Sequence, residues 1–409
     1  MNRVVITGMG AITALGDEWS TFKSALAQGK NATQVMTPWQ EMDGLNTQLG
    51  APINHFTKPA HFKRKKIRSM GRVSLLATSA TENALEQANL LSHPALTDGS
   101  TGISYGSSTG STEPLIAFGN MLENNDMKGI TATSYIKMMS HTAPVNVGVY
   151  FGLKGRVITT SSACTSGSQG IGYAYEAIKF GKQKIMVAGG AEELCVTEAA
   201  VFDTLYATSI KNDTPDLTPS PFDSSRDGLV IGEGACTLIL EELEHAKARG
   251  ANILAELVGF GCNSDGQHVT DPSAETMQMA MQLSLEDANL QASDIGYVNA
   301  HGTATEKGDI AETTATASVF GHVPISSLKS YLGHTLGACG SIEAWASINM
   351  MQDKWFAPTL NLNDVDSACG NLDYIKGEGR AIDTNYIMTN NFAFGGINTS
   401  LIFKRWQDE

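Results

Sequence analysis

Short apolar runs recur along this chain, and many are apolar on consecutive positions rather than alternate ones: residues 4–7, 156–159, 185–188, 235–240, 253–258, 295–300, 387–389 and 400–403. A strand with one wet face alternates, whereas a strand covered on both faces does not. Between these runs lie helical patterns at 69–88, 166–180, 274–289, 310–319 and 341–352. Ser273 is a candidate cap, because Met277, Met281 and Leu285 follow it on one face. Gly181 and Gly321 stand just past two other helices, where a left-handed stop is wanted. The pattern predicts an α/β protein with layered helices and sheets. A chain of 409 residues allows two or three domains or one large α/β unit. No Pro/Ser-rich linker divides it. The weakest seam is Ala248-Arg249-Gly250-Ala251, which splits one compact unit into 1–250 and 251–409.

Several classes of function are excluded early. With 28 Lys and Arg against 42 Asp and Glu the net charge is −14, which argues against a nucleic-acid binder. No apolar run approaches the roughly 18 residues of a membrane span. The start, Met1-Asn2-Arg3-Val4-Val5-Ile6-Thr7-Gly8, enters a strand-like run at once, unlike a signal or transit peptide. The cysteines at 164, 195, 236, 262, 339 and 369 form no C-x-x-C pair. Neither a disulfide framework nor a structural zinc site is expected, and the default compartment is the reducing cytoplasm.

Three residues stand out as candidates for chemistry. Cys164 lies in Ser161-Ser162-Ala163-Cys164-Thr165-Ser166-Gly167, where a buried strand meets a helix through small residues. A thiol at a helix N-terminus feels the positive end of the dipole, which is expected to lower its pKa, and free N–H groups there can hold an oxyanion. The other five cysteines read as packing residues, Cys339 and Cys369 for want of a polarising context. His301 ends a strand in Asn299-Ala300-His301-Gly302-Thr303-Ala304-Thr305. His334 sits in a Gly-rich turn running from Lys329 to Glu343. The 33 residues between the two histidines offer no third ligand at ordinary zinc spacing, so no metal is expected. Asn390-Asn391-Phe392-Ala393-Phe394-Gly395-Gly396-Ile397-Asn398 reads as a mobile lid or a plain core turn. The glycines of Gly8-Met9-Gly10 lack the third Gly and the later acid of a dinucleotide loop. Lys63-Arg64-Lys65-Lys66-Ile67-Arg68 concentrates basic charge in an acidic chain, as a solvated helix start or a docking patch for an acidic partner.

Together these segments, with Pro221-Phe222-Asp223-Ser224-Ser225-Arg226-Asp227-Gly228 and Gly232-Glu233-Gly234, resemble the β-ketoacyl-[acyl-carrier-protein] synthases. These are condensing acyltransferases of fatty acid and polyketide synthesis, and the likeness is to the elongating, two-histidine type. The resemblance covers essentially the whole chain. It implies a thiolase-like fold, five αβαβα layers from two similar halves, the nucleophile in 1–250 and the two histidines in 251–409. It implies a homodimer and a 3-oxoacyl-[acyl-carrier-protein] synthase reaction in which malonyl-carrier protein is condensed with an acyl group held on Cys164. In that scheme His301 and His334 donate to the enolate, and the N–H groups of Cys164 and Phe394 hold the tetrahedral oxyanion. Lys329 and Glu343 orient the histidines. Phe394 gates the acyl pocket, and Thr303, Thr305, Asp265, His268, Thr270 and Phe392 contact substrate. Lys63, Lys65, Lys66 and Arg68 match the basic face that docks acyl- and malonyl-loaded carrier protein. No cofactor is implied beyond the phosphopantetheine that arrives on the carrier. The chain departs from the usual pattern at Ala304, and at Asn391, Ala393 and Ile397, which replace Ser, Gly and Thr. Those changes suggest a secondary pathway, such as an aryl polyene, as an alternative to fatty acids. A non-catalytic chain-length subunit fits poorly because the nucleophile is present. A CoA-dependent thiolase fits poorly because Cys369 lies outside the Gly-rich turn. The loop 106–112 is expected to help shape the pocket.

Overall fold

The structure is a computed structural model and describes residues 1–407. Its central feature is one sheet of 11 strands. These are β1 (Val4–Thr13), β2 (Thr101–Gly106), β3 (Val157–Thr160), β4 (Ile185–Glu192), β5 (Gly234–Glu242), β6 (Ala255–Ser264), β7 (Ile295–Asn299), β8 (Pro324–Ser326), β9 (Asp373–Tyr374), β10 (Tyr386–Ala393) and β11 (Ile397–Arg405). The order across the sheet is β9-β8-β7-β10-β11-β6-β1-β5-β4-β2-β3. Read outward from its middle, it repeats. On one side β1 and β5, then β5 and β4, run antiparallel, followed by parallel β2 and β3. On the other side β6 and β11, then β11 and β10, run antiparallel, followed by parallel β7 and β8. Within the sheet, among the described residues, the halves pair where Val4, Val5 and Ile6 face Leu257, Glu256 and Ala255.

Helices complete five layers. The helices α1 (Arg72–Gln87) and α2 (Thr142–Phe151) cover the outer face of the first half. The helix α4 (Ala274–Ala288), with α5 (Glu306–Phe320) beside it, covers the outer face of the second. Between the halves lie α3 (Ser166–Lys179) and α6 (Cys339–Asp353), packed on each other and on both halves. A helix covered on all sides must be apolar or small around its whole circumference, and both are almost entirely buried. The fold is thiolase-like, as the resemblance implied.

Local chemistry explains the details. Ser273 caps α4, accepting the Thr276 N–H. Gly181 and Gly321 take positive φ at the ends of α3 and α5. Gly8 and Gly10 lie within β1, where a Cβ would come within 2.2 Å of Ala84 O and 2.3 Å of Ala80 O. Those glycines seat α1 on the strand. The helix α5 starts at Glu306, earlier than the apolar pattern indicates, because acids favour a helix N-terminus.

Candidate active site

Three turns meet between the halves. Cys164 lies in the 3-10 turn Ala163–Thr165 that leads into α3 from β3, which is an exposed edge strand and not the buried strand expected. His301 follows β7, and His334 lies between the one-turn helix Lys329–Leu332 and α6. All three are buried, and their ligand atoms lie within 4.8 Å of one another. Nε2 of His334 is 3.0 Å from Cys164 Sγ. The two imidazoles stand edge to face with centroids 5.1 Å apart.

Hydrogen bonds assign the tautomers. The Leu336 N–H donates to His334 Nδ1 at 3.3 Å. Lys329 Nζ donates to His301 Nδ1 at 3.2 Å. With both Nδ1 atoms accepting, a neutral ring carries its proton on Nε2. Burial and the Lys329 ammonium hold both imidazoles well below their usual pKa, so both are neutral. The site therefore presents N–H donors, not lone pairs. The Cys-His-His spacing could bridge a divalent ion, and Cys164 is the third group that no ligand spacing in the chain indicates. The Nε2 protons and the buried ammonium disfavour a cation there.

The structure corrects the expectation of a lowered Cys164 pKa. Burial pushes the thiol up to about 12, opposed by the Lys329 ammonium and by the N–H groups of Phe394 and Cys164 itself. Desolvation outweighs the helix end. Those two N–H groups face the sulfur, where an oxyanion on an acyl-cysteine would form. The roles of Lys329 and Glu343 also divide differently than the resemblance implied. Lys329 contacts His301 and pairs with Glu343, whereas the Leu336 N–H orients His334.

Other groups in the site escape a reading of the chain alone. Cys339 reads as a packing residue in the chain alone, yet its Sγ lies 3.2 Å from Cys164 O and beside the Lys329–Glu343 pair. Glu312 accepts the N–H groups of His301 and Gly302, both at 2.7 Å. Asp309 accepts those of Thr303, Ala304 and Phe222. Burial raises Glu312 to about 8 and Asp309 to about 6. Their spacing on α5 puts both carboxylates under the His301 turn, a signal visible only once that helix is extended to residue 306.

A cavity of about 440 Å³ reaches Cys164, His301 and His334. Thr303, Thr305, Asp265, His268, Thr270, Phe392 and Phe394 all line it. The threonine hydroxyls bond each other at 2.9 Å. The Gly395 N–H donates to Val269 O and the Asp265 N–H to Gly396 O, both at 2.8 Å, which ties the Phe394 turn to the loop around His268. The loop 106–112 does not line this cavity. Its Ser107, Ser108 and Thr109 donate instead to the buried Glu192 carboxylate, which also accepts the Gly337 N–H. Lys63, Lys65, Lys66 and Arg68 are exposed on and beside the helix Arg64–Ile67, away from the cavity lining. All six cysteines are free.

A buried cysteine under two N–H donors, with two imidazole donors opposite it on a thiolase-like fold, defines a condensing acyltransferase. A family described as β-ketoacyl synthase, N-terminal domain, matches residues 1–246, and its C-terminal domain matches 254–363. The chain belongs to the β-ketoacyl synthase family. It is 35% identical over 410 residues to 3-oxoacyl-[acyl-carrier-protein] synthase 1 of Haemophilus influenzae, covering 99% of this chain and 100% of that one. It is 34% identical over 414 residues to synthase 2 of Vibrio harveyi, covering 98% of each. A β-ketoacyl synthase structure from Burkholderia phymatum STM815 is similar at 62% identity and TM-score 0.98, over 100% of both chains. A ketosynthase solved in complex with its type II PKS acyl-carrier protein is similar at 29% identity and TM-score 0.86, over 99% of this chain and 100% of that one.

Proposed function

We propose that this chain is a 3-oxoacyl-[acyl-carrier-protein] synthase that elongates acyl chains by two carbons in fatty acid biosynthesis. Cys164 sulfur attacks the carrier's thioester, the carrier thiol leaves with the proton, and the acyl group stays on Cys164. Malonyl-carrier protein then loses CO2. The two electrons of the broken bond form an enolate, and the Nε2–H groups of His301 and His334 stabilise its oxygen. The enolate carbon attacks the acyl-cysteine, the C–S bond breaks with its electron pair leaving on the Cys164 sulfur, which takes up a proton from solvent, and a 3-oxoacyl-carrier protein departs. The observation that carries this reading is the convergence of both Nε2–H groups on the cavity of Cys164. The polyene alternative is not favoured by the relatives, which are named as 3-oxoacyl synthases.

The acyl carrier is read as the partner from those names and from the carrier complex of a similar ketosynthase. The exposed basic run from Lys63 to Arg68 supports it by charge, since carrier proteins of this kind are acidic. Phosphopantetheine is taken to enter on the carrier, past Thr303 and Thr305. A homodimer is supported by edge strand β3, where Val157 is 51% exposed, and by Tyr135, Val145 and Val149, exposed nearby. Among the described residues no helix is long and apolar enough to cross a membrane. A free nucleophilic thiol suits the reducing cytoplasm.

The test is intact-protein mass spectrometry after incubation with acyl-carrier protein. The wild type gains one acyl group and Cys164→Ala gains none. An equal adduct on the variant overturns the assignment of the nucleophile.

A further inference from the structure

Asn391 lies on β10 opposite Thr399 and is fully buried. Its Nδ2 is 2.7 Å from Glu343 Oε2, 3.4 Å from His301 Nδ1 and 3.6 Å from Cys339 Sγ. An ionised carboxylate only accepts hydrogen bonds, so the amide group beside Glu343 is the NH2. The other end of the amide, Oδ1, has no partner. It packs on Gly340, where a Cβ would come within 2.5 Å of it, so a larger residue at 340 would expel the amide. A buried carbonyl left unpaired costs free energy, and what holds the amide this way round is its donor side. Lys329 completes the figure: it pairs with Glu343 Oε1 and donates to His301 Nδ1. Glu343, Lys329, His301 and Asn391 thus close a ring of four side chains in which one imidazole nitrogen receives two donors.

We infer that Asn391 is a positioning residue for this reaction: its amide is the second donor aimed at His301 Nδ1, and it holds that ring in the tautomer that turns Nε2–H toward the cavity. The inference rests on the proposed condensation. The two donors are not equivalent. Lys329 brings a positive charge with its N–H, and Asn391 brings an N–H without one. A carboxylate at this position reverses the arrangement, because it offers His301 Nδ1 an acceptor and sets a second anion against Glu343. The proton then moves to Nδ1, and Nε2 faces the cavity as a bare lone pair or as part of an imidazolium.

The test uses the full-length protein and compares wild type with Asn391→Asp, Asn391→Ser and Asn391→Ala. Three readings are taken: acylation of Cys164 by mass spectrometry, decarboxylation of malonyl-carrier protein against pH, and the His301 tautomer by nitrogen NMR of histidine-labelled protein, assigned with His301→Gln. Asn391→Asp is expected to acylate Cys164 at near the wild-type rate, to lose at least about tenfold in decarboxylation, and to show a His301 protonated at Nδ1 with the acid limb of its profile moved to higher pH. Asn391→Ser, which keeps a donor, recovers most of the rate lost by Asn391→Ala. Asp and Ala variants that lose activity alike with the wild-type tautomer and profile overturn the inference, as does wild-type behaviour of Asn391→Asp. If Asn391→Asp does not fold, the Ser-against-Ala comparison decides in the same way, equal rates counting against it. A wild type that neither acylates nor decarboxylates overturns the proposed function instead, and the NMR reading still reports on Asn391.

Discussion

The Leu336 N–H points at His334 Nδ1 from two residues away, at 3.3 Å, and so turns the Nε2 proton of His334 onto Cys164. In the proposed reaction His334 would serve both half-reactions, donating first to the sulfur and later to the enolate. His334→Ala is expected to lower decarboxylation about 10²–10³-fold, the usual cost of removing an oxyanion donor. His301→Ala costs a similar factor there while leaving acylation of Cys164 largely intact, since its contacts run to Lys329 and Asn391 and not to the sulfur. Rates of CO2 release and of acyl-enzyme formation, measured separately, check both.

The histidines also set a pH dependence. The active form is neutral, and burial holds both rings well below the ordinary histidine value. Lowering pH therefore protonates them only well below 6.5, and decarboxylation should stay level from pH 7.5 down to about 6.5. The unfolded chain takes up these protons near 6.5 and the native one does not, so stability falls as pH drops through that range. A half-loss of decarboxylation at or above pH 6.5 in a protein that remains folded contradicts this.

Glu312 carries the turn that presents His301. Glu312→Gln keeps the shape but sets an NH2 against the His301 and Gly302 N–H groups, with an expected cost of about 1–3 kcal/mol by denaturant unfolding. The sign of its pH dependence follows from the raised value. The native carboxyl holds its proton up to about 8 and the unfolded one loses it near the ordinary glutamate value. Wild-type stability therefore drains away as pH rises across that window, the Gln variant has no such loss, and the gap between them narrows toward pH 8.

The basic run gives a prediction of a different kind. Exchanging Lys65 and Arg68 for Glu is expected to raise KM for carrier-bound substrate about tenfold and to flatten its salt dependence. The rate on a free pantetheine thioester stays unchanged, because these residues lie outside the cavity lining. Equal losses on both substrates would mean the run supports the fold instead of docking the carrier.

What the chain made legible follows from its physics. Strands covered on both faces are apolar at consecutive positions, so β1, β4, β5 and β7 are visible in residues 4–7, 185–188, 235–240 and 295–300. Strand β2 is fully buried yet built from Thr101, Gly102, Ile103, Ser104, Tyr105 and Gly106, whose small polar members hide it. Cys164, His301 and His334 stand out because small neighbours leave room for a substrate. Asn391, Cys339 and Glu312 do not, because their meaning lies in partners brought to them by folding. Asn391 touches Glu343 and His301 from 48 and 90 positions away, and Cys339 touches Cys164 from 175. The direction of the Cys164 shift is hidden for a related reason: a helix end is local and legible, whereas burial is a property of the whole fold.

In the proposed reaction an acyl group on Cys164 is consumed by an enolate that His301 and His334 stabilise together. Enzyme acylated beforehand and freed of donor can be mixed with malonyl-carrier protein and followed by intact-protein mass spectrometry. The wild type should lose its acyl mass as a 3-oxoacyl-carrier protein two carbons longer appears, while the His301→Ala/His334→Ala double variant stays acylated. Discharge of the double variant at the wild-type rate, with the same product, would contradict the account.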